Sequence, residues 1–347
     1  MKVKIWTQSD PMDAPDVRAW DDYVDRHACG TVFHTSRWQD ILVRSYRRPH
    51  YHIALEEEGA WRGIVSLYRV RSLGGKKDLY SLHFTAYGGM LADDTRASGH
   101  LCAIVKDIAV REKAGMVHLR NTQSSGLDLP GTDQHVHFAK PLPATEQACL
   151  ESIPRKSRAT VRKAMTNFGL GYEISRDVDL LWHLHAVNLK RLGTPVFPRE
   201  FFNRIMEAMG PDADILFVKY QGQAVCGVMN FYYKDVCNPY FSGSLGRYNH
   251  TGANNYMYYA LMCHALKRGS RHFDFGKSRK DSGSYDFKVN MGFEPRTLPF
   301  QFLYNTRQEK PNFNPSNPKL ALFLKAWSAQ PLWTSKLLGS FLNRFLP

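Results

Sequence analysis

One segment near residue 280 combines residue types that could stabilise a developing negative charge. Residues 276–293 read GKSRKDSGSYDFKVNMGF, a basic stretch followed by aromatic residues and Lys288. We expect Gly276 and Gly283 to bracket a mobile basic loop, and SYDFKVNMGF to form a short helix that ends at Gly292. A lysine on such a helix could be held against a reacting oxyanion or a phosphate. The alternative is a surface lysine whose alkyl chain covers apolar surface.

Two polar residues could assist Lys288. Asp274 lies in RHFDFG, which has the apolar character of a buried strand, and Tyr285 lies three residues before the lysine. The sequence shows no nucleophile–base pair beside them. A reaction at this segment would therefore depend on positioning and oxyanion stabilisation. For Asp274, a buried structural role is an equal alternative.

A second candidate is the basic segment IPRKSRATVRKAMTNFG, residues 153–169, which predicts a helix from Pro154 to Gly169. At about 100° per residue its cations share one face, opposite an apolar face. Guanidinium groups match the geometry of phosphate oxygens, so the pattern predicts a phosphate site. A solvated basic face is the alternative. The cationic face contains Arg155, Lys156, Arg158, Arg162 and Lys163, and the apolar face contains Val161, Ala164, Met165 and Phe168.

A third candidate, SGSLGRYNHTGANNYMYY at residues 242–259, leads from a predicted strand into a predicted helix. Backbone N–H groups at the start of a helix bind phosphate groups. Arg247 and Asn254 are placed to add side-chain contacts there. The alternative is that the glycines of this segment only shape turns.

The elements around these segments follow a recognisable order. Residues 177–191 and 199–209 predict helices, the second after Pro198. Three strands follow in DILFVKY, AVCGVMNFYY and PYFSGSL, then a helix that ends at Gly269, the strand RHFDFG and a final strand FQFLY. Two helices, three antiparallel strands, a helix and a strand is the order of the GNAT acyltransferase fold.

The chain also matches itself. AWRGIVSLY (60–68) aligns with AVCGVMNFY (224–232), and AGMVHL (114–119) aligns with RGSRHF (268–273) at a similar offset. The order and spacing of these matches predict a duplicated unit.

Composition narrows the partners and the compartment. The chain has 347 residues and a net charge of +14, which favours an anionic partner. The six cysteines form no CxxC pair, and no long apolar run follows the first residues, so we expect reduced thiols in a cytoplasmic protein. Three H-x-H pairs have no carboxylate cluster beside them, and we expect no metal.

The motifs together resemble the FemAB-like family. FDFGKS…GSYDFKVNMGFEP is similar to its hallmark DFGRS…G-x-Y-x-FK-x-x-x-G, with Lys277 where the hallmark has arginine. PRKSRATVRKA, NLKRLGTPVFP and AYGGML are similar to its other conserved blocks. The match is best to the branch associated with exosortase/PEP-CTERM envelope systems, and it covers roughly residues 30–347.

The resemblance implies an α/β (α+β) protein of two GNAT-like domains, each a mixed, mostly antiparallel sheet flanked by helices. We expect the domains at 1–140 and 141–308, followed by an amphipathic helical tail at 309–347. Characterised members transfer amino acids from aminoacyl-tRNA to the peptide of a peptidoglycan precursor. Lys288 matches their transfer-site lysine, and the arginine-rich helix, Lys277 and Ser278 lie where phosphates could be held.

The resemblance therefore implies an acyl- or aminoacyl-transferase that acts on an amine of a cell-envelope polysaccharide or lipid-linked precursor. We expect no permanently bound cofactor and either aminoacyl-tRNA or acyl-CoA as the donor, because the coiled-coil arm of the peptidoglycan-bridge enzymes is missing. The alternatives are an acetyl-CoA-dependent sugar N-acetyltransferase and a non-catalytic module that binds RNA or polysaccharide. The sequence leaves the oligomeric state open.

The last thirty residues predict a tail with two short helices on either side of Pro331. Residues 318–347 are apolar with interspersed cations, among them Lys319, Lys325, Lys336 and Arg344. Such a segment could lie on the acidic surface of the inner membrane face, or pack on the protein.

Overall fold

The chain forms two compact units, seen in a computed structural model that describes residues 1–72, 74–306, 327 and 329–346. Within these residues, the first unit comprises Met1–His135 with 297–306 and 344–346. The second comprises 136–296 with 327 and 329–343. Each unit has its own sheet, and the candidate residues all lie in the second.

The sheet of the first unit has the strand order β1-β2-β3-β4-β6-β15-β7, with β5 paired to β3. Its strands are β1 (Lys2–Thr7), β2 (His50–Glu57), β3 (Ala60–Arg71), β4 (Lys77–Tyr80), β5 (Leu91–Ala92), β6 (Met116–Leu119), β7 (Gly131–Thr132) and β15 (Phe300–Tyr304). Its helices are α1 (Ala14–Arg26), α2 (Ser36–Tyr46) and α3 (Thr95–Arg111).

The sheet of the second unit has the strand order β14-β8-β13-β12-β11-β10-β9. Its strands are β8 (His135–Pro141), β9 (Gly171–Ser175), β10 (Ala213–Tyr220), β11 (Gln223–Tyr233), β12 (Val236–Ser244), β13 (His272–Arg279) and β14 (Pro295–Thr297). Its helices are α4 (Glu146–Glu151), α5 (Arg155–Thr166), α6 (Val178–Arg191), α7 (Arg199–Met209), α8 (Ala253–Lys267), α9 (Gly283–Asn290) and α10 (Leu332–Leu342).

The two sheets repeat one topology. In the first, β1 to β4 pair antiparallel, α3 follows, and β6 returns parallel to β4. In the second, β9 to β12 pair antiparallel, α8 follows, and β13 returns parallel to β12. The self-alignment places β3 over β11, the equivalent strands of the two units. The predicted tandem GNAT-like fold is confirmed.

Local sequence signals set most helix limits. The Asp177 carboxylate accepts a hydrogen bond from the Leu180 N–H and caps α6, and α7 begins directly after Pro198. The α5 helix begins directly after Pro154, as predicted, but it ends at Thr166, three residues before the predicted end at Gly169. Its apolar face is narrower than predicted, because Val161 and Ala164 are buried whereas the Met165 side chain is 42% exposed.

Two strands depart from the sequence prediction. FQFLY is a strand, but as β15 it pairs with β6 and β7 in the first sheet instead of completing the second. The Gln301 side chain fixes it there through hydrogen bonds with Asn121, Ser125 and the Leu127 carbonyl. Conversely, β8 spans the expected boundary between residues 140 and 141 and lies beside β13 in the second sheet.

The core of the second unit lies between its sheet and the helices α4, α5, α8 and α9. It includes Phe138 of β8, Phe273 and Phe275 of β13, and Val161 of α5. Among the described residues, no helix is both long and apolar enough to span a bilayer. Five of the six cysteines are buried as free thiols, and Cys29 is half-buried.

Candidate functional site

The parallel strands β12 and β13 separate toward their carboxyl ends. Their register pairs Val236 with His272 and Cys237 with Phe273, whereas β12 continues to Ser244 and β13 to Arg279. The connection between them passes through a short 3₁₀ turn and then α8, which begins at Ala253. The start of α8 therefore lies at the end of the sheet where the two strands part, a common position for ligand sites.

The basic helix α5 lies directly against the start of α8. Gly252, the residue before α8, has φ of +75°, and a Cβ there would lie 2.7 Å from Thr160 Cγ2. Residues three and four positions from Thr160 share its helix face, so Lys156 and Lys163 flank this contact. Two predicted phosphate sites, the α5 face and the start of α8, are therefore adjacent.

The cations of α5 are available to an anion. Arg155, Lys156 and Arg162 are exposed, and Arg158 is half-buried with a hydrogen bond to the Glu151 carbonyl. In the part of the chain that the structure describes, none of these four forms an ion pair with a carboxylate. Like charges on one helix repel one another in the absence of an anion.

Aromatic side chains border the same surface. Phe168, just after α5, contacts the rings of Tyr220 and His250, and Tyr220 contacts Tyr248. The Arg247 guanidinium lies over the Tyr248 ring at 4.9 Å. The rings of Phe168, Tyr220 and Tyr248 are half-buried, and cations beside accessible aromatic rings are typical of surfaces that bind nucleic acid.

The basic loop predicted at 277–282 is largely a strand. β13 continues through Lys277 and Ser278 to Arg279, so only residues 280–282 separate it from α9. Gly276, expected to bracket a mobile loop, instead lies within β13 at φ of +67°, and its N–H donates to Asp274 Oδ1. The glycine therefore permits a local irregularity in a strand, a role that sequence alone does not separate from loop flexibility.

Lys288 lies on the predicted helix, α9, but its amine is buried. Its Nζ donates to the Lys277 carbonyl at 2.9 Å and lies 5.4 Å and 5.2 Å from the ring centres of Phe138 and Phe275. The residue is 7% exposed. Burial lowers the pKa of Lys288 to about 7, and the negative charge of Asp274 offsets part of this effect. The buried amine therefore loses its proton at a lower pH than an exposed lysine does.

Asp274 and His137 form a carboxylate–imidazole pair that the sequence motifs did not indicate. His137 Nε2 lies 2.7 Å from Asp274 Oδ1 on the neighbouring strands β8 and β13. The residues on either side of each belong to the core, so by strand alternation this pair lies on the opposite face of the sheet. The sequence offered only an H-x-H pattern, whose proximity to Asp274 depends on the pairing of β8 with β13.

The other predicted site residues lie at α9 and at the start of α8. The Tyr285 ring packs against Phe138 at 5.5 Å, and the Ser278 hydroxyl lies 2.9 Å from that of Ser284, so both fix α9 to the sheet. Asn254 lies half-buried in the first turn of α8. Its neighbour Asn255 donates to Met291 Sδ, which brings α8 to the end of α9.

Sequence analysis also missed Lys140 of β8, a half-buried lysine near the end of α9. The sequence feature that could have indicated Lys140 is a lysine on the apolar face of a predicted strand. No group of three or more metal-ligating side chains occurs among the residues described.

Comparison with known proteins fits this architecture. Residues 155–289, which extend from α5 to α9, match the model of the acetyltransferase (GNAT) domain family. The crystal structure of FemX superposes with a TM-score of 0.66 at 15% identity, covering 88% of this chain and 98% of FemX. No match was found among curated protein sequences.

Two further solved structures match most of the chain. L-PGS from Bacillus licheniformis has a TM-score of 0.53 at 11% identity, covering 92% of this chain and 98% of that one. A tandem GNAT protein from the clavulanic acid biosynthesis pathway also has a TM-score of 0.53 at 11% identity, covering 87% and 98%. The chain has the GNAT fold in two units, and its match to the acetyltransferase (GNAT) domain model coincides with the segment that carries the candidate site.

Proposed function

We propose that the protein transfers an acyl or aminoacyl group to an amine of a cell-envelope polysaccharide or lipid-linked precursor, in a system of the exosortase-associated type. The amine nitrogen attacks the carbonyl carbon of the donor ester or thioester, forming a C–N bond as the C–O or C–S bond breaks. The proton lost by the amine ends on the leaving ribose hydroxyl or thiol. The juxtaposition of the α5 cations with the start of α8 carries this proposal, because it supports a phosphate-bearing donor beside the parting strands.

The length of the cationic surface favours an RNA-linked donor. Arg155 to Lys163 spans about 12 Å of helix, more than one phosphate group requires. Arg247 and the rings beside it extend the surface past the start of α8. An aminoacyl-tRNA presents successive phosphates and bases to such a surface, whereas CoA presents one pyrophosphate and one 3′-phosphate. We therefore propose aminoacyl-tRNA as the donor and acyl-CoA as the alternative.

Lys288 is proposed to stabilise the negative charge on the tetrahedral intermediate. Its Nζ holds the Lys277 carbonyl, so its charge acts on the 277–278 peptide at the end of β13. A hydrogen bond to a carbonyl polarises the peptide and strengthens the N–H at its other end as a donor. Asp274 and Tyr285 support this arrangement from the strand and from α9.

Peripheral membrane contact is proposed for α10. Its face with Ser335 and Gly339 is buried, whereas Trp333, Leu337 and Phe341, four residues apart, form an exposed apolar stripe. Lys336, over the Trp182 ring at 4.1 Å, adds positive charge to this helix. An apolar stripe with nearby cations suits an acidic membrane surface. The predicted helix before Pro331 lies mostly outside the described residues.

Native mass spectrometry of freshly purified protein, followed by transfer assays with labelled aminoacyl-tRNA and labelled acetyl-CoA, tests the function. We expect co-purifying tRNA and transfer of the aminoacyl label to an amine of an envelope precursor. Bound CoA with transfer of acetyl to a sugar amine would instead identify a sugar N-acetyltransferase. Bulk RNA with no transfer from either donor would identify a non-catalytic binding module.

The role of Lys288 is tested by replacing it with a side chain of similar length and no charge. We expect Lys288→Met to lower turnover on the true substrate by about 10²–10³-fold, the usual loss when one preorganised donor is removed. Lys288→Arg should restore only part, because a planar guanidinium cannot replace a compact ammonium between two rings. Lys267→Met is the control, since Lys267 is exposed and pairs with Glu146. Full turnover by Lys288→Met would make the lysine a packing residue.

A further inference from the structure

Lys140 is a half-buried lysine, for which neither the proposed reaction nor the sequence motifs supply a role. It lies on the same face of β8 as Val136 and Phe138, which belong to the core. Its Nζ lies 3.2 Å from Ser152 Oγ, 3.4 Å from the Gly292 carbonyl oxygen and 4.3 Å from the Phe293 ring centre. Within the described residues it forms no ion pair.

The two acceptors of Lys140 belong to different parts of the candidate site. Ser152 directly follows α4 and lies two residues before Pro154, after which the cationic helix α5 begins. Gly292 lies two residues after the end of α9 and four residues after Lys288. One ammonium therefore joins the start of the proposed donor-binding helix to the end of the proposed catalytic helix.

The backbone around this contact leaves little room for adjustment. Gly292 has φ of +81°, and a Cβ there would lie 2.6 Å from the Ser152 carbonyl oxygen and 3.0 Å from Pro154 Cδ. The chain after α9 thus lies directly on the turn into α5. The Lys140 amine donates to the Ser152 hydroxyl on one side of this contact and to the Gly292 carbonyl on the other.

We propose that Lys140 is a positioning residue, which fixes the end of α9, and with it Lys288, at a set distance from the start of α5. The inference rests on the proposed function and assigns a role to a residue outside its motifs. The Lys288 amine holds α9 to β13, and the Lys140 amine holds its end to the α4–α5 turn. The separation between the donor phosphates and Lys288 is thereby set by the Lys288 hydrogen bond to the Lys277 carbonyl and by the Lys140 hydrogen bonds to the Gly292 carbonyl and the Ser152 hydroxyl.

Folding stability alone does not account for a lysine at this position. Burial lowers the pKa of Lys140 to about 8, because desolvation disfavours the charged ammonium. A methionine has a similar length and no charge to desolvate, so it would pack there at lower cost. What methionine cannot do is donate hydrogen bonds to two separate elements at once.

The test compares Lys140→Met with Lys140→Arg and with the exposed control Lys267→Met, by kinetics and hydrogen exchange. For Lys140→Met we expect an unchanged or higher melting temperature, a kcat about 10–100-fold lower and a KM for the donor within about threefold. Amide exchange at Met291, Gly292 and Phe293 should accelerate by at least about tenfold. Lys140→Arg should restore part of the kcat and part of the slow amide exchange, because arginine keeps N–H hydrogen-bond donors at this position. Lys267→Met should change neither.

An unchanged kcat and unchanged exchange in Lys140→Met would overturn the proposal. So would a joint fall of melting temperature and kcat that Lys140→Arg does not relieve, since that pattern marks a residue needed only for folding. If the wild type transfers no group from any donor, the proposed function fails. The exchange at residues 291–293 then decides whether Lys140 fixes the end of α9.

Discussion

At the scale of single residues, the second unit contains the buried Lys288 and the half-buried Lys140, and neither forms an ion pair with a carboxylate in the described structure. Lys288 and Lys140 both donate to backbone carbonyls and both lie against aromatic rings. A buried ammonium is costly, and the cost appears as a lowered pKa. The sequence predicted Lys288 from its motif, but its burial depends on the packing of α9 against Phe138 and Phe275, which no local pattern encodes.

The burial of Lys288 predicts a pH dependence of stability. The pKa of Lys288 is about 7 in the folded protein, whereas an exposed lysine has a pKa of 10.5. Between these values the unfolded chain binds more protons, so the free energy of unfolding should rise with pH from about 7 toward 10.5. Urea unfolding at several pH values should show the wild type gaining on the order of a few kcal/mol over Lys288→Met by about pH 9.5.

Taking the difference between the two proteins removes the titration of all groups that they share, including Lys140. Lys267→Met provides the exposed-lysine reference and should run parallel to the wild type. Parallel curves for the wild type and Lys288→Met would show that Lys288 keeps an ordinary lysine pKa.

At the scale of elements, α5 carries its charge against its own helix dipole. Its first turn contains Arg155 and Lys156 and no acidic residue, and Pro154 before it provides no side-chain cap. Cations at the positive end of a helix typically cost about 0.3–1 kcal/mol each at the surface. A helix whose charges oppose its own dipole supports the proposed anion site on α5.

Reversing one charge should therefore separate stability from binding. We expect Arg155→Glu to raise the free energy of unfolding by about 0.5–1 kcal/mol, because an acidic residue suits the first turn. The same change should weaken the affinity for tRNA and reduce the slope of affinity against salt concentration. Chemical denaturation and a salt series of binding measurements test the two effects.

Arg191→Glu is the matched control, an exposed arginine at the other end of a helix in the same unit. It changes the net charge equally and should leave the affinity for tRNA close to that of the wild type. Equal losses in both variants would indicate that net charge, and not α5, attracts the polyanion.

The exposed stripe of α10 gives a second prediction at this scale. Replacing Trp333, Leu337 and Phe341 by serine should reduce co-sedimentation with anionic phospholipid vesicles by at least about tenfold, because the apolar contact with the interface is lost. These side chains are 68%, 66% and 54% exposed, so the melting temperature should stay within a few degrees. Vesicle binding and thermal unfolding are measured on the same samples.

Asn343→Ala is the control from the packed side of this segment. Asn343 Nδ2 donates to the Val196 carbonyl at 2.7 Å, so its loss should lower stability and leave vesicle binding of the folded protein intact. A triple-serine variant that precipitates or melts far below the wild type would place the stripe in the protein core.

At the scale of the molecule, the tandem fold could be predicted from the sequence. Helix caps and strand periodicity are visible within short segments, and the duplication is visible when the sequence is aligned with itself. Sequence analysis located α5, α8 and α9 and their cations correctly. The sequence prediction assigned β15 to the wrong sheet and divided β8 at residue 140. Pairing between strands that are far apart in the sequence produces no periodic pattern that could have indicated either one. His137 and Lys140 were missed for the same reason, since β8 acquires its role only beside β13.

The return of β15 to the first sheet gives a prediction for the whole chain. The Gln301 amide is buried and bonds to Asn121, Ser125 and the Leu127 carbonyl. We expect Gln301→Leu to lower the free energy of unfolding by about 1–3 kcal/mol, since buried polar partners lose their hydrogen bonds. Gln147→Leu, at an exposed glutamine of the second unit, should have little effect. A Gln301→Leu variant as stable as the wild type would mean that apolar packing alone holds β15.

The position of β15 also orders events on the ribosome. Its partner β6 is synthesised about 180 residues earlier, so at usual elongation rates its edge waits roughly 10–40 s for the pairing strand. The second sheet can be complete before the first one closes. An open strand edge of this kind recruits other nascent chains, and a ribosome stalled between the two strands would release a fragment prone to aggregate.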